Sequence, residues 1–162
     1  MQNKLSEKKI SFVYCDYLNE NHCRRFAELI HHYMADPMGG SKPLSPREQL
    51  YLLDGMANHP SGFVMFAVLD ADIVGLVTCF INFSTFKAKR YLNIHDIIVQ
   101  KEFRGLGIGR KLTEKCISIA EEHDYCKVTL EVRDDNMNAK KLYKGLGFED
   151  AVPVMHFWTK LL

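Results

Sequence analysis

A mixed α/β fold, with one central, mostly antiparallel sheet and helices packed on both its faces, is what the sequence predicts. Three observations carry that expectation. Residues 63–69 and 73–83 are rich in β-branched and aromatic side chains and are separated only by Asp70-Ala71-Asp72, which predicts an antiparallel hairpin. Two stretches, residues 21–35 and 107–124, repeat apolar residues every three or four positions, the period of a helix with one buried face. Between the hairpin and the second of these helices lies an apolar strand ending in a glycine-rich turn.

Taken in order, residues 10–14 read as a first short strand. The helix over 21–35 follows, its face made by Phe26, Leu29, Ile30, Tyr33 and Met34. Pro37, Gly39, Gly40 and Pro43 break it. Ser45-Pro46-Arg47-Glu48 then starts another helix, with Ser as N-cap, Pro at the first helical position and Glu closing a capping box. That helix ends near Asn58-His59-Pro60. After the hairpin, a third strand spans 91–99. The helix over 107–124 presents Ile108, Leu112, Cys116, Ile119 and Ala120 on one face. Residues 127–132 alternate as a strand, 138–146 form a short helix stopped by Gly147, and 154–161 form a closing strand. No repeat or Gly/Ser linker interrupts the 162 residues, so the expectation is one domain over 1–162.

A formal net charge of +1 provides no global field to attract nucleic acid or an anionic membrane. Recognition by charge must therefore be local. Five cysteines, widely spread and without a C-x-x-C pair, suggest neither a disulfide framework nor a zinc site, and adjacent His31 and His32 point to different sides of a helix; no metal is expected. The opening residues are polar where a secretory signal is apolar, and no run approaches membrane-spanning length, so the expected location is the cytoplasm.

Chemistry concentrates in Asp96 to Arg110, an apolar strand followed by a short turn and three alternating glycines entering a helix. Glycines at a helix N-terminus suit a phosphate, because bare backbone lets N–H groups approach the anion and the first helical turn has unpaired donors. The spacing puts Arg110 where a dinucleotide fingerprint needs its third glycine, and a Walker A loop needs four residues between its glycines followed by Lys-Ser or Lys-Thr. Neither pattern fits. Arg104-Gly105-Leu106-Gly107-Ile108-Gly109 resembles the pyrophosphate-binding motif of the GNAT N-acetyltransferase superfamily, and Asn136 to Phe148 (NMNAKKLYKGLGF) resembles that family's second signature. The resemblance implies acetyl-coenzyme A as cosubstrate. Residues Arg104 to Arg110 would hold its pyrophosphate, with backbone groups of Ile97, Ile98 and Val99 on one side of the pantetheine arm and Asn136 on the other.

The resemblance also implies direct attack of an amine on the thioester, without an acyl-enzyme. At pH 7 an alkyl ammonium with pKa near 10.4 is about 3.5 units from deprotonation, roughly 4 to 5 kcal/mol, so a base is needed. His95 and Asp96 are the candidates; strict alternation places them on opposite faces, and His95 is preferred to Asp96 as base because an imidazole can pass the proton to water, the equal alternative being a partly buried sheet histidine beside a structural hydrogen-bond acceptor. Tyr143, in the second signature, is the expected acid for the leaving thiolate, with core packing as the alternative. The acceptor is expected to lie against residues 17–59 and the turn at 84–90, with Asp36 as an ammonium partner and Asp16, Glu20, Glu28 and Asp54 as further acidic candidates. The strand-to-loop segment also resembles diamine and polyamine acetyltransferases, which favours a small amine over a protein lysine or N-terminus. A non-catalytic acetyl-coenzyme A sensor is the remaining alternative. The apolar residues from 152 to 162 raise a homodimer as a further expectation.

Overall fold

The computed structural model describes residues 9–162; the first eight, which carry most of the polar opening stretch, lie outside the described residues. The chain divides into two compact units, the first ending at Glu131 and the second spanning Val132–Leu162.

In the first unit, β1 (Ile10–Tyr14) leads into α1 (Glu20–Ala35) and α2 (Pro46–Ala57). Strands β2 (Gly62–Leu69), β3 (Asp72–Ser84) and β4 (Lys89–Val99) follow, then a single 3-10 turn (Lys101–Phe103), α3 (Ile108–Glu122) and β5 (Val128–Leu130). The five strands lie in sequence order, antiparallel from β1 to β4, with β5 parallel to β4. Local chemistry places the ends. Asn19 Oδ1 accepts the N–H groups of Asn21 and His22, which starts α1. Ser45 and Glu48 form the expected reciprocal capping box on α2. Asp70 and Ala71 turn the β2–β3 hairpin with φ of 50° and 72°, the left-handed pair that matches the twist of the strands.

Helices cover both faces of the sheet. Phe26 and Leu29 of α1 and Met56 of α2 pack with Val64, Phe66, Leu76 and Ile98. On the other face Leu112, Cys116, Ile119 and Ala120 of α3 pack with Met65, Val77, Cys79, Leu92 and Ile94. Neighbouring residues of β2 thus alternate between the two cores. Gly75 of β3 is a close-approach point: a Cβ there would lie 2.7 Å from the Ile98 carbonyl oxygen.

In the second unit, α4 (Met137–Lys144) is capped by Asn136, whose side chain accepts the Ala139 N–H. Its end is a Schellman turn: Phe148 N–H bonds Tyr143 O, Gly147 N–H bonds Lys144 O, and Gly147 sits at φ 85°. The hydrophobic contact usual in that motif joins Tyr143 and Phe148, ring centroids 5.8 Å apart. The closing strand expected over 154–161 does not form. A strand exists only where another edge supplies hydrogen bonds; among the described residues no edge pairs with this segment, and Val154, Phe157, Trp158 and Leu161 are exposed.

Two glycines separate packing from propensity. Gly75→Ala is expected to lower stability by about 1 to 3 kcal/mol, since backbone must move. Gly55→Ala, within α2 with open space around it, is expected to raise stability by roughly 0.5 to 1 kcal/mol. Urea denaturation midpoints of the two variants check both signs.

Candidate active site

β4 is paired unevenly. On one side it runs the length of β3; on the other it meets β5 only through Leu92, Asn93 and Ile94. From His95 to Val99 its second edge pairs with no strand among the described residues, leaving an open edge. Gln100 N–H bonds Val74 O, and stepping back by the two-residue alternation of an antiparallel ladder turns Ile98 and Asp96 toward β3. The N–H and C=O groups of Ile97 and Val99 therefore face the open side.

The open edge leads directly into the glycine turn. Gly105 and Gly107 have φ of 77° and 78°, and nothing lies within 4 Å of where a Cβ would project at either. Glycine is favoured there by backbone angle, and the space beside it is empty of protein. Gly107 is the N-cap of α3, with no capping side chain and no acidic residue in the first turn. The first helical bond is Lys111 N–H to Gly107 O, so the N–H groups of Ile108, Gly109 and Arg110 precede the ladder and point out of the helix end. Ile108 is buried in the α3 core and anchors that end, while Leu106 stays partly exposed. Arg110 forms only an exposed pair with Glu114 at 3.4 Å. Arg104 is engaged otherwise: its Nε donates to Val99 O and its NH1 to Asp36 Oδ2, both at 2.9 Å. It braces the turn against the end of α1.

That contact changes the expected role of Asp36. The carboxylate accepts Met38 N–H as well as Arg104, and these bonds hold its pKa below the usual carboxylate value. It is already paired, and it lines a different hollow from the one described next.

The register of β4 on β3 shifts between Thr78, opposite Asp96, and Cys79, opposite Ile94, leaving His95 as an extra residue. Leu92 and Ile94 face the α3 core, and so do Ile97 and Val99 beyond the bulge. His95 and Asp96 consequently share the α1/α2 face, a correction to the opposite faces that strict alternation predicts. Both line a cavity of about 370 Å³ under α1 and α2, together with Phe26, Thr78 and Phe80. Burial raises the Asp96 carboxyl above its ordinary 3.8; His95 and the Thr78 hydroxyl oppose part of that rise. Thr78 Oγ1 is itself buried and makes no hydrogen bond of good geometry. His95 is exposed, its ring edge-to-face with Phe80 at 5.4 Å.

Sequence reasoning missed the bulge, Thr78 and Phe80. The signal in the sequence is weak: Leu92 and Ile94 alternate with polar residues, but Ile97, Ile98 and Val99 are all apolar, which hides the change of phase. The other acidic candidates do not line this cavity: Glu28 pairs with Arg24 and Arg25, Asp54 bonds Asn58, and Asp16 accepts Leu18 N–H. The turn at 84–90 contributes nothing to it either. Asn136 and Tyr143 belong to the second unit, Asn136 as the α4 cap and Tyr143 buried beside Phe148. Among the described residues, no group of three His, Cys, Asp or Glu side chains gathers as a metal site, and no helix is long and apolar enough to cross a membrane.

A sheet whose fourth strand parts from the fifth and feeds an uncapped, glycine-rich helix start is the arrangement that the resemblance to the GNAT superfamily implies. The chain belongs to the acetyltransferase (GNAT) family, which it matches over residues 15–148. It is 30% identical over 149 residues to a thialysine N-epsilon-acetyltransferase of Bos taurus, covering 87% of this chain and 86% of that one. An uncharacterized N-acetyltransferase of Archaeoglobus fulgidus is 42% identical over 81 residues, 49% of this chain and 55% of its own length. A second archaeal relative, from Methanocaldococcus jannaschii, is matched over 39% of its length, so the chain spans about half or less of these two. Among solved structures, a probable acetyltransferase superposes with a TM-score of 0.79 at 19% identity, covering 95% of this chain and 98% of that one. An aminoglycoside acetyltransferase from a soil metagenome, in complex with sisomicin, gives 0.74 at 23%, covering 96% and 97%.

The raised Asp96 pKa has a stability consequence. The folded chain holds that proton more tightly than the unfolded chain, so stability is undiminished below 3.8 and falls as pH rises through the folded value. Asp96→Asn removes the dependence. The variant is expected to melt higher than the native chain at pH 7, with the difference closing near pH 3.8, in thermal scans across that range.

Proposed function

We propose that this chain is an acetyl-coenzyme A-dependent N-acetyltransferase acting on a small primary amine, with Asp96 as proton acceptor. The observation that carries the reading is that one strand serves two ligands. Its open edge meets the bare start of α3, and its bulge opens into the cavity beneath α1 and α2. The 30% identity to the thialysine enzyme supports a small-molecule amine over a protein. The family match runs through both units, which supports treating the chain as one acetyltransferase domain.

The residues fit a diphosphate and a pantetheine arm. The N–H groups of Ile108, Gly109 and Arg110, reached past Gly105 and Gly107, are unpaired donors at the positive end of a helix dipole. Arg110 adds charge. Ile97 N–H and C=O and Val99 N–H offer main-chain groups for amides, the Val99 carbonyl being held by Arg104, and Asn136, whose oxygen caps α4, retains its NH2 as a donor. When bound, acetyl-coenzyme A supplies an acetyl group activated as a thioester. Ile97 N–H is then the main-chain donor for the acetyl carbonyl oxygen.

Asp96 takes the ammonium proton in a cavity where burial has made it a stronger base than an exposed carboxylate. His95, exposed beside it, passes the proton to water. Tyr143 protonates the departing thiolate. A cysteine acyl-enzyme is disfavoured: burial pushes the Cys15 thiol up to about 12, and the contact with Cys116, together with burial, raises Cys79, the reverse of what a nucleophile needs. We assign the chain to the cytoplasm on its reduced cysteines, and propose a homodimer in which the exposed residues 152–162 pair across copies.

Acetyl-coenzyme A-dependent thiol release across a panel of amines tests the assignment. Asp96→Asn is expected to lower kcat/KM about a hundredfold or more and to abolish the acidic limb of the pH profile, since activity falls as Asp96 is protonated. Unchanged turnover in Tyr143→Phe would remove the acid role. Light scattering after removal of residues 152–162 should report a monomer if the tail makes the dimer.

A further inference from the structure

The cavity beneath α1 and α2 carries a single negative charge. Of the residues lining it, Asp96 alone is acidic, and the other polar groups (Tyr33, Ser41, Thr78 and His95) bring no second carboxylate. Apart from Gly39, the rest of the wall is Phe26, Ile30, Met34, Leu52, Met56 and Phe80. The Phe80 ring meets two imidazoles, His59 at 4.8 Å and His95 at 5.4 Å, both in edge-to-face geometry. That fixes a flat aromatic surface beside the carboxylate. Three carboxylates of α1, α2 and the loop between them are paired or turned elsewhere, Asp36 to Arg104, Glu28 to two arginines and Asp54 to Asn58, and none of the carboxylates of these elements lines the cavity.

Resting on the acetyl-transfer reading above, we infer that the acceptor is a primary amine with one positive charge and an apolar, aryl-sized body, instead of the polyamine suggested by the strand-to-loop resemblance. An arylalkylamine places its ammonium at Asp96 and its ring against Phe80 and Met56. A diamine or polyamine sets its second ammonium against Leu52 and Met56, stripped of water with no counter-charge. A cavity of about 370 Å³ is at the small end of ligand sites and holds such an amine without a peptide backbone.

The test is thiol release by the full chain with acetyl-coenzyme A and four acceptors: 2-phenylethylamine, tryptamine, putrescine and spermidine. The expected result is a kcat/KM at least tenfold higher for the two arylalkylamines. Leu52→Glu, which adds a carboxylate to the wall, is expected to move the putrescine-to-phenylethylamine ratio at least tenfold toward the diamine. Met34→Glu is a second route to the same shift if the first variant does not fold by circular dichroism. Equal or better turnover of spermidine by the native chain, or an unmoved ratio in a folded variant, overturns the inference while leaving acetyl transfer intact. Absence of release with every amine, although coenzyme A binds, overturns the acetyl-transfer reading and this inference together.

Discussion

β5 stops pairing at Ile94, and at the next residue β4 inserts His95 without a partner on β3. The rest of the site depends on these two coincident irregularities. A fully paired β4 would spend its backbone donors on neighbouring strands, and a regular β4 would send His95 and Asp96 to opposite cores. As built, the strand keeps free main-chain groups on one edge and presents two titratable side chains on one face. Its continuation, through a turn that favours glycine at φ near 78°, is a helix start with no cap of its own. The missing cap is an energetic deficit in the isolated chain, and an anion at that place would relieve it.

The surroundings are rigid where rigidity matters. Arg104 clamps the glycine turn to the Val99 carbonyl and to Asp36 at the end of α1, so that turn and the helix roofing the Asp96 cavity are tied by one guanidinium. Arg25 ties α1 to the sheet by bonding the Ile73 carbonyl and Gln100. Charge in the acceptor region is thereby largely consumed in holding structure. What remains for chemistry is Asp96, raised in pKa by burial, with exposed His95 beside it.

Much of this was legible from short-range chemistry. The capping box at Ser45 and Glu48, the hairpin at Asp70-Ala71 and the left-handed stop at Gly147 are set by residues within five positions of each other, so sequence alone places them. The glycine turn was legible for the same reason. The shared face of His95 and Asp96 was not, because a bulge is a property of two paired strands, and in β4 alone the apolar run Ile97-Ile98-Val99 hides the change of phase after Ile94. Asp36 misled because its partner is 68 residues away. The apolar run at 154–161 misled in another way: composition can make a strand possible, but only a free edge makes one.

The open edge of β4 and the bare start of α3 are claimed to form one anion-ended ligand site. Calorimetric titration of coenzyme A into the native chain and into Gly107→Ala tests that claim most directly, because alanine at φ 78° must distort the turn while the space beside it remains. The account predicts saturable binding to the native chain and at least tenfold weaker binding to a folded Gly107→Ala. Equal affinity in the two proteins, or no binding to the native chain, would contradict it.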